Sequence, residues 1–116
     1  MGWIDLTIDA ADTVRDFYQT VAGWSAEPVP MGGGSYADYM MKPAGGGEPV
    51  AGVCHARGPN AGLPPQWMIY ITVDDLKAAL AAVRAHGGEV VRDGESMAVA
   101  RDPAGAFFAL WQAPGT

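Results

Sequence analysis

The chain has 116 residues, of which 49% are hydrophobic and 17% charged, so it is long and apolar enough to fold as one domain. Its net charge of −6 and its seven scattered Lys and Arg residues argue against nucleic acid as a partner. No apolar run approaches the ~18 residues of a membrane span and the first residues do not resemble a signal peptide, so we expect no membrane partner and a cytoplasmic location.

The first half of the chain predicts a strand, a helix and three further strands. The apolar run 2–8 is typical of a strand, Asp9 is a plausible helix N-cap, and Gly23 ends the helical pattern. Between them, apolar side chains recur at helical spacing at Val14, Phe17, Tyr18 and Val21. The remaining strands are expected over 24–30, 35–42 and 50–55, with glycine runs at 32–34 and 45–47 as the turns between them.

The second half repeats this order. A short apolar run, 67–73, meets the acidic pair Asp74 and Asp75, which fits a strand that leads into a helix N-cap. Helical spacing then continues to the pair Gly87 and Gly88. Three more strands are expected over 89–92, 97–102 and 106–112.

A shift of 65 residues aligns the two halves, pairing Ile4 with Ile69 and Asp9 with Asp74. A repeat of roughly sixty residues in fixed order indicates a duplicated unit. Residues 57–65 contain three prolines and two glycines, which can continue neither a helix nor a central strand. We therefore predict one α+β domain of two βαβββ modules, 1–56 and 66–116, joined by the linker 57–65.

Three segments in this order resemble a known family. They are FYQTVAGW at the end of the first helix, VDDLKAALAAVRAHGGEV in the second module, and RDPAGAFFALWQ near the end of the chain. Together with the doubled βαβββ order they resemble the vicinal oxygen chelate superfamily, which includes glyoxalases, bleomycin-resistance proteins and extradiol dioxygenases. The resemblance implies a curved mixed sheet that forms a cup around a small-molecule cavity, often within a homodimer.

The resemblance also implies a divalent metal ion held by His, Gln or Glu side chains in that cup. The family's ligand positions fall on Trp3, Met68 and Ala109 in this sequence, and on Pro49 or Glu48 for the fourth. At least three of these four positions hold groups that cannot donate a hard lone pair to such an ion. We therefore expect no metal and no other cofactor, although one divalent metal ion is the alternative.

A set of side chains on the non-helical face of the predicted strands is the candidate ligand pocket. Asp5 and His55 are also candidate catalytic bases, because a carboxylate or imidazole in a cavity can accept a proton. Asp5 has an alternative interpretation as an exposed residue or a partner of Arg57 or Arg101. His55 has an alternative interpretation as a structural or surface residue, and the aromatic set has an alternative interpretation as packed core. The predicted ligand-binding set is Trp3, Asp5, Thr7, His55, Met68, Tyr70, Phe107, Ala109 and Trp111.

Two functional classes follow from these residues. The first is metal-free binding of a small aromatic or planar molecule in the cup, with the aromatic side chains as stacking surface. The second is a lyase, isomerase or dioxygenase that uses either an unusual metal set of Asp5, Glu48 and His55, or, without a cofactor, Asp5 or His55 as base. A dimeric module without a ligand is a third possibility. The fold alone does not choose among them.

Overall fold

A computed structural model of the protein describes residues 3–57 and 61–113. Backbone contacts divide the chain into two compact units. The first unit is Ile4–Trp67, and the second is Met68–Thr116 together with Met1–Trp3. Part of the predicted linker, residues 58–60, lies outside the described residues.

The first unit contains four strands and one helix. Their bounds are β1 at Trp3–Ile8, α1 at Ala11–Ala22, β2 at Ser25–Met31, β3 at Tyr36–Lys42 and β4 at Ala51–His55. The strands lie in the order β2, β3, β4, β1, with β1 parallel to β4 and the other two pairs antiparallel. Gly23 ends α1 in the left-handed conformation at φ 71°, as its place in the sequence predicted.

The predicted N-cap of α1 is wrong. Helix α1 begins at Ala11, and Ala10 occupies the cap position without a side-chain hydrogen bond. A side chain at the cap position conventionally accepts hydrogen bonds from the free N–H groups of the first turn, but Asp9 lies one residue before that position. The side chain of Ala11 is fully buried against the core, so packing rather than capping accompanies the start of this helix.

The second unit repeats the element order. Its bounds are β5 at Trp67–Val73, α2 at Leu76–Ala85, β6 at Glu89–Arg92, β7 at Met97–Arg101 and β8 at Phe107–Gln112. The strand order is β5, β8, β7, β6, with β5 parallel to β8 and the other two pairs antiparallel. The Asp75 side chain caps α2 by accepting the Ala78 N–H at 3.1 Å, as the sequence predicted.

Each unit has its own hydrophobic core, formed by its helix and its strands. The first core contains Ala11, Tyr39, Met41, Ala51 and Val53. The second contains Leu76, Leu80, Ala98 and Leu110. An aromatic group flanks the first core, where the Trp67 indole N–H donates to the Tyr18 hydroxyl at 3.0 Å and the Tyr18 ring stacks on Trp24. Burial of these apolar side chains is the main term that holds each helix to its sheet.

The predicted α+β class with two βαβββ modules is confirmed, since both units show this order. Among residues 3–57 and 61–113, no helix is both long and apolar enough to cross a membrane.

Candidate functional site

Five side chains of the second unit line a cavity of about 310 Å³, which we call the aromatic pocket. They are Trp3, Tyr70, Thr72, Met97 and Trp111. The strand register explains why four of them meet. Thr72 pairs with Trp111, and Trp111 pairs with Met97, so these three side chains form one row on the same face of the sheet. Tyr70 occupies the next row of that face, beside Ala109.

The walls of the aromatic pocket are two indoles, a phenol ring, a thioether and a threonine side chain. The Trp111 side chain keeps 40% of its surface exposed although it is among the largest apolar groups of the chain. An exposed indole beside a cavity has surface that a ligand can cover. The pocket is therefore suited to a flat apolar molecule, with the Thr72 hydroxyl available for one hydrogen bond.

The structure brings three residues of the predicted ligand set together here: Trp3, Tyr70 and Trp111. The prediction missed Met97 and Thr72 as pocket residues. The place of Met97 in the pocket could have been predicted from the hairpin of β7 and β8. Because the two strands are joined at residues 102–106, their register places Met97 opposite Trp111.

Three further members of the predicted set lie elsewhere in the second unit. Met68 is 3% exposed and Ala109 is fully buried, so neither presents a side-chain surface to a ligand. Phe107 lies at the far end of β8, where the Arg101 guanidinium is 5.4 Å from its ring centre. None of these three lines the aromatic pocket.

Asp5 and Thr7 belong to the first unit. Thr7 is 4% exposed, and Asp5 accepts a long contact from the Cys54 thiol, with Oδ2 3.8 Å from Sγ. Burial raises the pKa of the Cys54 thiol, and the negative charges of Asp5 and Asp38 raise it further. The thiol therefore stays protonated near neutral pH and is a poor nucleophile.

The two basic residues considered as partners of Asp5 have other contacts. The Arg101 guanidinium binds both oxygens of Glu89 at 2.6 Å. The Arg57 guanidinium lies 4.1 Å above the Tyr36 ring. The structure therefore places both arginines in other interactions.

His55 lies on one face of the paired strands β1 and β4, whereas Cys54 of β4 and Asp5 of β1 lie on the other face. The His55 side chain is on the same face of β4 as Ala51 and Val53, which pack in the first core. The structure therefore does not bring Asp5 and His55, the two candidate catalytic bases, together. A second cavity, of about 580 Å³, lies beside His55, and we call it the polar cleft. Its lining consists of Asp12, Tyr36, Tyr39, His55 and Arg57, together with Pro30 and residues 34, 35 and 37.

Carboxylates flank the His55 ring in the polar cleft. Nδ1 is 3.4 Å from an Asp38 oxygen, whereas Nε2 is 3.8 Å from an Asp12 oxygen. The Tyr39 hydroxyl donates to that same Asp12 oxygen at 2.5 Å. This hydrogen bond lowers the pKa of Asp12 and is the largest cause of the raised pKa of Tyr39. The cleft thus combines an imidazole oriented by a carboxylate with a phenol bound to a second carboxylate.

The residues present do not fit the family's divalent metal ion. The resemblance assigns three of its ligand positions to Trp3, Met68 and Ala109, whose side chains carry no donor for such an ion. Within residues 3–57 and 61–113, no group of three or more His, Cys, Asp or Glu side chains could hold a metal. The alternative set of Asp5, Glu48 and His55 is not assembled, because Glu48 is exposed in a loop and the other two lie on opposite faces of the paired strands β1 and β4.

Residues 4–111 match a family model described as a glyoxalase-like domain. The chain belongs to the glyoxalase-like family. This match confirms the resemblance to the vicinal oxygen chelate superfamily on which the sequence prediction depended. It fixes the fold and the family without naming a reaction.

The chain is also similar to individual proteins and to a solved structure. "Putative glyoxylase CFP32" of Mycobacterium bovis is 36% identical over 121 residues, covering 97% of this chain and 45% of that protein. "Anthracycline biosynthesis protein DnrV" of Streptomyces peucetius is 33% identical over 130 residues, covering 96% and 46%. The chain thus spans less than half the length of these relatives. A crystal structure of a methylmalonyl-CoA epimerase has the same fold, with a TM-score of 0.55 at 18% identity and coverage of 99% and 95%.

Proposed function

We propose that this glyoxalase-like protein binds a small planar aromatic molecule in the aromatic pocket without a metal ion. The observation that supports this most is the convergence of Trp3, Tyr70 and Trp111 on one cavity. Its volume of about 310 Å³ is near the lower end of small-molecule pockets, which suits a ligand of two or three fused rings.

The chemistry of the pocket lining favours a planar ligand. Aromatic rings gain about 0.5–1.5 kcal/mol from well-oriented pairing beyond the burial of their surface. The thioether of Met97 adds polarisable contact with a ring, and its flexible side chain adapts to ligand shape. Such a lining binds through surface contact and requires no catalytic group.

The relatives are consistent with this proposal. One of them is named an anthracycline biosynthesis protein, and that name refers to polycyclic aromatic compounds. A metal-free site agrees with the donor set, because the family's ligand positions here carry indole, thioether and methyl groups. In this proposal the chain keeps the fold of the family but lacks the side chains that bind the metal ion. The aromatic pocket is then the feature through which the fold would act.

Titration with the neutral planar compound anthraquinone-2-carboxamide tests this proposal. The protein is purified without chelator, analysed for metal content, and then titrated in EDTA while tryptophan fluorescence is recorded. We expect saturable quenching at one site per chain and well under one equivalent of metal. Absence of saturable quenching, or binding that depends on an equivalent of bound metal, would contradict the proposal.

A cofactor-free lyase or isomerase is the second candidate function, and the polar cleft favours it. The contact between His55 and Asp38 orients an imidazole, which is the arrangement that general acid–base catalysis uses. In that case His55→Gln should abolish turnover and leave anthraquinone-2-carboxamide binding unchanged, because His55 is not among the residues that line the aromatic pocket.

Homodimer formation also stays a prediction, which sedimentation velocity tests.

A further inference from the structure

The polar cleft of the first unit is lined by a guanidinium whose N–H groups have no acceptor in the described chain. The Arg57 side chain lines the cleft and is exposed. Among residues 3–57 and 61–113, no side-chain hydrogen bond or ion pair includes this guanidinium. Its donors are therefore available to a molecule that enters the cleft.

An aromatic ring holds this guanidinium in place. The Arg57 Cζ atom lies 4.1 Å from the centre of the Tyr36 ring, within the range of a cation–π contact. This attraction acts between the positive charge and the ring face, so the N–H groups can still bind an acceptor. Because the contact already restricts the long Arg57 side chain, less conformational freedom is lost when a ligand binds it.

The Tyr36 ring also joins Arg57 to His55. The rings of Tyr36 and His55 pack edge to face, with 5.2 Å between their centres. All three side chains line the polar cleft, whose volume of about 580 Å³ lies within the range of small-molecule pockets. One small ligand can therefore contact both the guanidinium and the imidazole.

The two carboxylates that flank His55 already accept hydrogen bonds from the protein. Asp12 accepts the Tyr39 hydroxyl group at 2.5 Å, and Asp38 accepts the backbone N–H of His55 at 2.8 Å. A second guanidinium, that of Arg15, lies 4.6 Å from the Tyr39 ring centre and adds positive charge on that side. The acceptors near His55 thus have donors, whereas the donors of the cleft guanidinium lack an acceptor. This difference favours an anionic ligand over a cationic one.

We infer that the polar cleft binds a small organic acid, with its carboxylate on the Arg57 guanidinium and its carbon skeleton beside His55. This inference goes beyond the binding proposed for the aromatic pocket, and it names the ligand class of the cleft on which the second candidate function rests. A carboxylate presents two acceptor oxygens, which match the planar guanidinium fork. Pro30 and Ala37 also line the cleft and offer apolar contact to the skeleton of the acid.

Histidine signals test the inference selectively. The chain has two histidines, His55 in the first unit and His86 at the C-cap of α2 in the second. We titrate protein labelled with ¹³C at the imidazole Cε1 with cyclohexanecarboxylate and, separately, with cyclohexanecarboxamide, at constant pH and ionic strength. The two compounds have the same non-planar ring, and only the first carries a charge. His86→Gln assigns the two signals in the carbon–proton spectrum.

Two arginine variants separate the role of Arg57 from that of overall charge. Arg57→Met removes the guanidinium from the cleft. Arg84→Met is the matched control, because Arg84 is also exposed but lies in the last turn of α2 and does not line the polar cleft. Both variants change the net charge by the same amount. Circular dichroism and thermal unfolding check that each variant is folded, and Arg57→Gln replaces Arg57→Met if the latter is not.

Cyclohexanecarboxylate should shift the His55 signal saturably, leave the His86 signal in place, and bind at least about fivefold more tightly than the carboxamide. Arg57→Met should bind both compounds with the affinity of the carboxamide, whereas Arg84→Met should keep the preference. A His55 signal that does not shift saturably, equal affinities in the wild type, or a preference that survives Arg57→Met would overturn the inference. Titration of the aromatic pocket with anthraquinone-2-carboxamide is independent of these results, so the two proposals can fail separately.

Discussion

Replacing Trp111 by leucine should weaken ligand binding far more than it weakens folding. The indole is 40% exposed, and a tryptophan has roughly 250 Å² of surface, so about 100 Å² faces solvent beside the pocket. A ligand that covers about half of this area gains about 1.3 kcal/mol at 25 cal/mol per Å². Ring pairing adds about 0.5–1.5 kcal/mol. Loss of both contributions amounts to about 2 kcal/mol, or a dissociation constant raised about thirtyfold.

Calorimetry with anthraquinone-2-carboxamide measures this effect without the tryptophan signal that the substitution removes. Leucine keeps most of the buried apolar contact, so we expect the free energy of unfolding in urea to fall by only about 1 kcal/mol. Phe17→Leu is the control, because Phe17 is an exposed aromatic residue of helix α1 and does not line the pocket. If Trp111→Leu binds as tightly as Phe17→Leu, the pocket does not hold the ligand and the reasoning fails.

Three further predictions concern the structure around the two sites. Cys54 should react with iodoacetamide about a hundredfold more slowly in the native protein than in urea, because burial and nearby carboxylates raise its pKa, and Asp5→Asn should accelerate the native reaction. Tyr39→Phe should lower the stability measured by urea unfolding at pH 7. The hydrogen bond to Asp12 raises the pKa of Tyr39 in the folded protein above its unfolded pKa of about 10. The stabilisation from this hydrogen bond is therefore fully present below about pH 10 and is lost as the pH rises through the folded pKa, so the stabilities of wild type and variant should converge in alkali. A pH-independent difference would contradict this assignment. Gly88→Ala would place a Cβ 2.7 Å from a backbone oxygen of β7 and should reduce the free energy of unfolding by about 1–3 kcal/mol; an unchanged midpoint in urea would contradict the close packing there.

The sequence predicted the elements closely because each depends on local signals. Every strand and helix lies within about two residues of its predicted position. Gly23 ends α1 and Asp75 caps α2, since both act through their immediate neighbours in the chain. The wrong cap at Asp9 shows the limit of that reasoning, because the start of α1 coincides with the buried side chain of Ala11, whose contacts come from distant strands.

The candidate site was less predictable because it depends on which strands pair. Alternation along single strands placed Trp3, Tyr70 and Trp111 on a common face, and the cavity contains all three. Alternation did not reveal whether His55 faced Asp5, since the faces of β4 and β1 become comparable only when their parallel register is known.

Methyl resonances of the methionines test the central claim most directly. The chain has six methionines; Met97 lines the aromatic pocket, whereas Met41 is fully buried in the core of the first unit. We titrate methyl-labelled protein with anthraquinone-2-carboxamide in EDTA and assign the Met97 signal with Met97→Leu. Binding at the proposed site predicts a saturable shift of the Met97 methyl signal, because a ring in contact with it changes its magnetic environment, and an unchanged Met41 signal. A stationary Met97 signal, or shifts confined to methionines of the first unit, would contradict the account.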